Sequence, residues 1–449
     1  MRRVLIPLAA LAASCSPAGR VQELPEPTRR IIDAALEESQ AYEKLCYLCD
    51  RIGHRLSGSE NLNRAIEWAV RQMREDGLSN VRTQPCKVPV WVRGEESAEI
   101  LEPSPRPMFM LGLGDSVATP PEGITAEVVC VKSFEELGPH VKDKIVLYNV
   151  PFTTYGETVR FRTGGATEAA HHGAAAALVR SVGPVSLRTP HTGNQTYGRA
   201  APPIPAAAVS IEDAETIQRL RDRGVPVKVR LRMGARKLPD ADSANVIGEI
   251  PGRTDEIVLI GGHLDSWDVG SGAHDDGAGC VIVMEAARIL VKLGLKPMRT
   301  IRVVLFTNEE NGGAGAKAYR EAMGDEVGRH AAAIEADSGG DRPLGFGLTI
   351  QDQARHARGL ACLREISRFL KPLGADAVRE SGGGADIRDL ASLGVPIMSL
   401  NPDTSRYFHY HHTHSDTPDK VDPRHLAMNA AAMAVMAWHL AEMDGRLGD

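Results

Sequence analysis

The amino-acid sequence predicts an α/β fold whose central sheet is mostly parallel and covered by helices on both faces. From residue 243 onward, nearly continuous apolar strands such as "EIVLIGGHLDS", "TIRVVLFTN" and "HAAAIEAD" alternate with helical segments. Strands of this kind are typical of a parallel sheet, because helices bury both of its faces. Between residues 124 and 240, short strands alternate with Ala-rich or charged helices. We interpret this stretch as a compact unit inserted into a larger domain formed by residues 28–123 and 241–449.

The composition is that of a globular protein. The residues are 43% hydrophobic and 24% charged, and the length of 449 residues allows two domains or one domain with a large insertion. The formal net charge of -6 provides no basic field for nucleic acid or for an acidic membrane, so we expect neither as a partner. The sequence leaves a homodimer open.

The N-terminal residues predict export. Arg2 and Arg3 precede an apolar stretch, residues 4–13, that is too short to cross a bilayer, so residues 1–15 resemble a signal peptide. The sequence "AASC" resembles a bacterial lipobox, in which Cys15 would carry the lipid; an ordinary cleaved signal is the alternative. Residues 16–27 are Pro-rich and predict a tether. We expect a periplasmic or outer-membrane lipoprotein, or otherwise a secreted protein.

Cys46 and Cys49 form a C-x-x-C pair within a helical pattern. Because no second pair lies nearby, we interpret them as small buried hydrophobic residues, with a disulfide as the alternative after export. In the insert, His171 and His172 belong to an Ala-rich helix and are interpreted as helix surface or core. The insert offers no converging acid, base and ligand, so we expect it to restrict access to a site elsewhere.

Polar side chains follow the carboxyl ends of the predicted strands, where functional groups of such sheets lie. They come from three consecutive strands and two loops: His263, Asp265, Glu309, Glu310, Asp337, Asp275, His411, His412 and His414. Oxygen-rich ligation with imidazoles indicates a divalent metal, with zinc first. The carboxylates outnumber the needs of one zinc, which favours two ions about 3.5–4 Å apart that share a carboxylate. No G-x-S-x-G motif competes, and no cysteine stands at a strand-to-helix elbow.

Four motifs in this order and spacing, "GGHLDSWDVGSGAHDDGAG", "TNEENGG", "EADSGG" and "HHTHSDT", resemble the M28 zinc peptidases, and within that family the carboxypeptidase Q branch. The resemblance covers residues 28–445 and implies that the insert is a protease-associated domain. It also implies a cis peptide between Asp275 and Asp276. The implied metal ligands are His263 and Asp337 on one zinc, Glu310 and His412 on the other, and Asp275 bridging the two. Glu309 is implied as the general base, and Asp265 is implied to accept a hydrogen bond from the ligand His263 and so to fix its tautomer.

The choice among the histidines of "HYHHTHSDT" rests on register. In M28 peptidases the ligand stands four residues before the Asp of the closing D-T pair, here Asp416, which selects His412. Neighbouring side chains of an extended segment point to opposite faces, so His411 is expected to point away and His414 becomes the rival ligand. His409 and His411 are interpreted as surroundings of the site, and so is His414 if it is not the ligand.

Other polar residues have weaker patterns. Asp268 and Asp276 are interpreted as loop residues. In the Gly-rich stretch "SGGGAD", family position favours substrate contacts for Ser381, Gly384 and Asp386 over a plain turn, and no Walker-type lysine follows that would indicate a phosphate site.

The sequence therefore predicts an exported di-zinc exopeptidase that hydrolyses dipeptides or other short peptides. The alternatives are a single-zinc glutaminyl cyclase-like acyltransferase and a non-catalytic scaffold of the same fold; the complete ligand set argues against the scaffold. Dipeptidase, carboxypeptidase and aminopeptidase activity all stay open, because the group that holds the free terminus is not visible in motifs.

Overall fold

The computed structural model describes residues 24–198 and 202–449. The predicted signal peptide, Cys15 and most of the predicted tether lie outside the described residues. Within the described part of the chain, every helix is too short or too polar to span a bilayer. Cys46 and Cys49 are free thiols. Cys49 is buried, in agreement with its interpretation as a small buried hydrophobic residue, whereas Cys46 is only partly buried.

The strands of the described residues are β1 Ser79–Val92, β2 Glu96–Glu102, β3 Arg106–Met108, β4 Met110–Gly112, β5 Ile124–Val131, β6 Ile145–Tyr148, β7 Ala176–Arg180, β8 Ala206–Val209, β9 Lys228–Met233, β10 Arg236–Ile250, β11 Ile257–His263, β12 Thr300–Phe306, β13 His330–Glu335, β14 Pro343–Thr349, β15 Ala377–Arg379 and β16 Ile397–Pro402. The helices are α1 Glu26–Glu37, α2 Ala41–Cys46, α3 Glu60–Glu75, α4 Tyr155–Thr158, α5 Arg160–His171, α6 Ile211–Asp222, α7 Ala278–Lys292, α8 Ala314–Met323, α9 Gln353–Ser367, α10 Arg388–Ala391, α11 Tyr407–Tyr410 and α12 Pro423–Glu442.

The first sheet has eight strands in the order β1-β10-β12-β11-β13-β16-β14-β15. Its centre, from β12 to β16, is parallel, whereas β1, β10 and β14 add antiparallel pairs toward the edges. Both faces are covered: along β11, Val258 and Ile260 pack with helices such as α7 and α12, and Leu259 packs on the opposite face with α8 and α10. The predicted α/β fold is confirmed.

The second sheet also has eight strands, in the order β3-β2-β9-β5-β6-β7-β8-β4. The helices α6 and α5 cover its two faces, each over its own apolar core. The predicted start of the inserted unit at residue 124 is wrong, because residues 96–112 already belong to this sheet. Strand β2 pairs with β9 and β4 pairs with β8, each far away in sequence. The chain leaves the first sheet after β1 and returns at β10, so the unit spans residues 96–233.

A buried ion-pair cluster fixes the N-terminal helices against α7. Lys44 Nζ lies 2.6 Å from Asp76 Oδ2 and 3.1 Å from Glu285 Oε2, and Arg288 Nη2 lies 2.7 Å from Glu285 Oε1. All four side chains are almost fully buried. Removal of one member of such a cluster leaves the others without full charge compensation.

We predict that Lys44→Met lowers the free energy of unfolding by about 3 kcal/mol, because Asp76 loses its buried cation. Urea denaturation of the two proteins measures the difference. The control is Lys292→Met, which removes a half-exposed lysine paired with Glu38 and should change stability by less than about 0.5 kcal/mol. Equal effects of the two substitutions would contradict the prediction.

Candidate metal centre

The polar side chains predicted for the sheet edge lie together in the structure. His263 is the last residue of β11, Glu309 and Glu310 follow β12, and Asp337 follows β13. Strand β11 is parallel to both neighbours, with His263 opposite Phe306 on β12. The three strand ends therefore open on the same edge, and the loops that follow them meet there.

Two groups of potential ligands share Asp275. His263 Nε2 lies 3.2 Å from Asp275 Oδ1 and 3.5 Å from Asp337 Oδ1. His412 Nε2 lies 3.1 Å from the other oxygen, Asp275 Oδ2, and 3.0 Å from Glu310 Oε2. Since each oxygen of one carboxylate faces a different imidazole, Asp275 has the geometry of a bridging ligand between two cations.

The donor set fits two divalent cations. Asp275, Glu309, Glu310, Asp337 and His412 line one cavity of about 330 Å³. Burial raises the pKa of Glu310 to about 7, and the charge of Asp275 adds to this rise. Burial opposes protonation of His412, but Glu310 and Asp275 overcome it and raise its pKa to about 10. Clustered buried carboxylates require compensating positive charge. Zinc can supply it, because zinc binds nitrogen and oxygen donors such as these.

The turn before α7 holds the bridging residue. The peptide bond between Asp275 and Asp276 is cis, as the resemblance implies. Asp275 N donates to Asp416 Oδ2 at 3.2 Å. Asp276 accepts hydrogen bonds from His263 N and from Gly279 N, both at 3.0 Å, so it fastens the end of β11 to the start of α7. The Asp276 carboxylate thus holds the backbone of the turn in place. Asp268 pairs with Arg93 and belongs to neither ligand group.

The predicted hydrogen bond from His263 to Asp265 is present, but its acceptor is not the carboxylate. The turn after β11 instead brings the main-chain carbonyl of Asp265 to 3.0 Å from His263 Nδ1, while its carboxylate lies 3.8 Å away. The Asp265 carboxylate accepts hydrogen bonds from the backbone N–H groups of Glu309 at 3.0 Å and Glu310 at 3.2 Å. Asp265 therefore positions the two glutamates, and the bond from Nδ1 leaves His263 Nε2 free to bind a metal.

Glu309 is placed differently from Glu310. Glu310 Oε1 accepts a hydrogen bond from Trp267 N at 3.1 Å while its other oxygen faces His412. Glu309 also lines the cavity, but its carboxylate belongs to neither ligand group. Burial raises the pKa of Glu309 well above its ordinary value, and the charges of Asp337 and Glu310 contribute to the rise. A carboxylate of raised proton affinity beside a metal site is suited to general-base chemistry.

The expectation that His411 points away from the site is wrong. The segment is not extended there: His412 has a φ of 61°, and the two imidazole rings stack 3.6 Å apart. His411 Nε2 consequently lies 3.4 Å from Asp275 Oδ2. His414, the predicted rival, is exposed and lines another cleft with Tyr42. The rival ligand in the structure is therefore His411.

Hydrogen bonding distinguishes the two stacked imidazoles. His412 Nδ1 donates to the main-chain carbonyl of Thr192 at 3.2 Å, which directs Nε2 toward Asp275 and Glu310. His411 Nδ1 has no hydrogen-bond partner among the described residues. Because metal-binding histidines normally donate their second N–H to a carbonyl or carboxylate, this difference favours His412 as the ligand.

The residues of the "SGGGAD" stretch do not line the cavity. Ser381 is exposed, whereas Asp386 is buried and its carboxylate has no hydrogen-bond partner among the described residues. A Cβ at Gly384 would stand 2.0 Å from Glu335 Oε1, so only glycine allows this approach. Burial raises the pKa of Asp386 well above its ordinary value, and the neighbouring Glu335 carboxylate adds to the rise. Substrate contacts by Ser381, Gly384 and Asp386 stay a prediction.

The inserted unit contributes more residues to the site than the sequence indicates. Thr192, in the loop between β7 and β8, donates its N–H to the carbonyl of His412 at 2.9 Å and accepts from the His412 ring. Arg162 of α5 and Tyr155 of α4 line the cavity with the ligand residues. No sequence signal points to these residues, because they precede the first metal motif by far and belong to an Ala-rich helix and to loops.

Comparison with known proteins identifies the family. The family model for peptidase family M28 matches residues 245–437. Carboxypeptidase Q from Bos taurus is 45% identical over 415 residues, which cover 91% of this chain and 87% of that protein. This chain belongs to peptidase family M28. Carboxypeptidase Q from Homo sapiens is 43% identical over the same length. The family resemblance predicted from the four motifs is confirmed, and the protein is an M28 metallopeptidase.

Solved structures agree with this assignment. The crystal structure of a peptidase M28 precursor from Shewanella amazonensis matches with a TM-score of 0.89 and 38% identity, over 94% of this chain and 97% of that chain. BSAP, a zinc aminopeptidase from Bacillus subtilis, matches with a TM-score of 0.67 and 20% identity, over 95% of this chain and 98% of that one. The second comparison shows a shared fold.

We predict different metal contents for three histidine variants of the M28 peptidase. His412→Ala should lose one of two zinc ions and all activity, because the ring that faces Glu310 and Asp275 is removed. His411→Ala should keep both ions and lower turnover, and the exposed His414→Ala serves as the matched control. Elemental analysis of the purified variants measures the ratio. If His411→Ala loses zinc and His412→Ala keeps it, the ligand assignment is wrong.

A second prediction concerns stability and pH. Burial and the Glu335 carboxylate raise the pKa of Asp386 above its value in the unfolded chain, so we expect the folded protein to keep a proton on Asp386 to higher pH, and wild-type stability to be lost as pH rises toward the raised folded pKa. Asp386→Asn carries no such proton. Its stability relative to wild type should therefore increase between pH 5 and pH 8, by up to about 1.4 kcal/mol per pH unit.

Urea denaturation of metal-free protein at both pH values measures this difference. Asp389→Asn, at an exposed position on the neighbouring α10, is the control and should show a constant difference from wild type. A difference for Asp386→Asn that does not grow with pH would contradict the prediction.

Proposed function

We propose that this M28 peptidase is an exported di-zinc exopeptidase that hydrolyses dipeptides or other short peptides. One observation most strongly supports the binding of two metal ions. The two oxygens of Asp275 face separate ligand groups, one with His263 and Asp337 and the other with Glu310 and His412. A single metal would leave one of these groups of buried carboxylates without compensation.

The residues of the cavity suggest a hydrolytic mechanism. Zinc ions held there would supply Lewis acidity, which polarises the scissile carbonyl and lowers the pKa of a bound water. Glu309 accepts the proton of the attacking water, since its carboxylate is free of the ligand groups and burial increases its proton affinity. Glu309 then delivers that proton to the leaving amine. Asp265 keeps this base in place through the Glu309 N–H.

The form of the cavity supports short substrates. Its volume is about 330 Å³, and Tyr155 and Arg162 of the inserted unit close one side. Relatives at 45% identity carry the name carboxypeptidase Q, which supports an exopeptidase that acts next to a free C-terminus. The insert then has two tasks, because it limits access and also contacts the ligand His412.

The alternative is a single-zinc acyltransferase of the glutaminyl cyclase type. It would need one ligand group and would give a zinc-to-protein ratio near one, whereas the proposed peptidase gives a ratio near two. Hydrolysis of unblocked dipeptides, lost on chelation and restored by zinc, separates the peptidase from both the acyltransferase and a scaffold.

The proposed location rests on the N-terminal sequence. A signal peptide over residues 1–15 would export the peptidase, and lipidation of Cys15 would make it a periplasmic or outer-membrane lipoprotein; without the lipid it would be secreted. A homodimer stays open.

We predict that Glu309→Gln keeps both zinc ions but lowers turnover by about 10²- to 10⁴-fold, the usual contribution of a general base. Glu310→Gln should lose zinc, because it weakens the ligand that faces His412. Turnover of a dipeptide and zinc content are measured on both purified variants. Wild-type turnover by Glu309→Gln would show that another group takes the proton.

A further inference from the structure

Arg55 is a fully buried arginine beside the metal centre. It lies in the segment between α2 and α3, and its exposed fraction is 0%. An arginine keeps its positive charge throughout the pH range of enzyme activity, so its burial is costly unless its N–H donors are satisfied. The acceptors of this guanidinium are main-chain carbonyls, and their positions indicate which part of the molecule the residue serves.

The guanidinium joins two loops that carry proposed metal ligands. Its Nε donates to the carbonyl of Leu264 at 2.7 Å, and Leu264 directly follows His263. Its Nη1 donates to the carbonyl of Ser271 at 2.7 Å, and its Nη2 donates to that of Gly272 at 3.0 Å. Gly272 precedes Asp275 by three residues. One side chain thus connects the loop after β11 to the turn before α7.

Further contacts hold Arg55 in a single position. Its N–H donates to Ser266 Oγ at 3.0 Å, and its carbonyl accepts from Ser266 N at 3.3 Å. Nη1 also donates to the Gly53 carbonyl at 3.0 Å. A Cβ at Gly272 would stand 2.9 Å from Arg55 Nη2, and Gly272 has a φ of 60°, so glycine permits the close approach of the turn.

These contacts need the shape of an arginine. Its planar fork points donors in fixed directions, so it can bind carbonyls of two separate loops at once, whereas a lysine ammonium acts from one point. Without the fork, buried carbonyls of both loops would lose their partner, and the loops would have to shift. His263 Nε2 and Asp275 Oδ1 are 3.2 Å apart, so a shift of either loop changes the geometry of the ligand group that contains them.

We propose that Arg55 is a positioning residue that sets the separation of His263 and Asp275, and thereby the affinity for the zinc ion that these two residues would share with Asp337. The inference rests on the proposed two-metal function and goes beyond it, because it names a residue outside the ligand groups that maintains one of them. The other group depends on Arg55 less, because its ligand His412 is held by Thr192 of the inserted unit.

The test measures zinc affinity by competition with a chelator on folded, purified protein. Arg55→Lys keeps the charge but cannot bridge both loops, so it should weaken the binding of one zinc ion by about 10- to 100-fold, the usual effect of losing a group that orients metal ligands. In the zinc-loaded variant kcat should fall while KM changes little, because the two loops carry metal ligands.

Two variant backgrounds identify the ion that is affected. His412→Ala is expected to retain the ion of the group with His263 and Asp337, and Arg55→Lys should weaken that ion by the same factor. Asp337→Ala should retain the ion that faces Glu310 and His412, and there Arg55→Lys should have a smaller effect.

A second buried arginine provides the matched control. Arg299 is 3% exposed, precedes β12 at the opposite end of that strand, and donates to the carbonyls of Leu440 at 2.9 Å and Met443 at 2.8 Å. Arg299→Lys should lower stability in urea without changing zinc affinity. Ser266→Ala is a milder variant that removes the acceptor of the Arg55 N–H, and it should weaken the same ion by a smaller factor.

Three outcomes would overturn the proposal. The first is equal loss of zinc affinity in Arg55→Lys and Arg299→Lys, since both would then act through overall stability. The second is wild-type zinc affinity in Arg55→Lys, or in Ser266→Ala if Arg55→Lys does not fold. The third is a larger effect of Arg55→Lys in Asp337→Ala than in His412→Ala. A wild-type protein that binds fewer than two zinc ions would instead contradict the proposed two-metal function, whatever the variants do.

Discussion

The sharing of Asp275 between two ligand groups is the constraint on which the rest of this peptidase depends. A carboxylate with the bridging role proposed for Asp275 must be fixed in position and orientation, and nearby acids outside the two ligand groups provide this rigidity. Asp416 accepts the N–H groups of His274 and Asp275, Asp276 accepts those of His263 and Gly279, and Asp265 accepts those of Glu309 and Glu310. These three carboxylates bind backbone, and in doing so they hold the ligand-bearing turns against one another.

The sheet supplies the other half of the arrangement. Parallel pairing of β12, β11 and β13 places three strand ends side by side, and the loop after β16 closes the group with His412. A parallel sheet needs helices on both faces, and α7 begins directly at the bridging turn. The metal centre is consequently supported by the main apolar core, so its geometry depends on packing that lies well away from the chemistry.

Strand patterns and motif order predict much of the site, but only for residues whose positions are determined by neighbouring residues in the sequence. His263, Glu309 and Asp337 could be placed because strand ends are readable from apolar runs, and His412 because its motif fixes its register. The stacking of His411 on His412 depends on a positive φ, and the Asp265 contacts depend on the path of a turn. Neither has a sequence signature. Residues 96–112 were assigned to the wrong unit because β2 and β4 pair with strands that lie about a hundred residues later in the sequence.

The pair of hydrogen bonds between Thr192 and His412 links the inserted unit directly to a proposed metal ligand. Two binding events that are coupled through such a contact affect each other equally. If metal binding strengthens docking of the insert, docking strengthens metal binding by the same factor. Metal binding at His412 and docking of the insert are then coupled through this contact. A firmly docked loop around Thr192 would favour metal binding, and bound metal would hold that loop more firmly, so the inserted unit is part of what sets the metal affinity of the site.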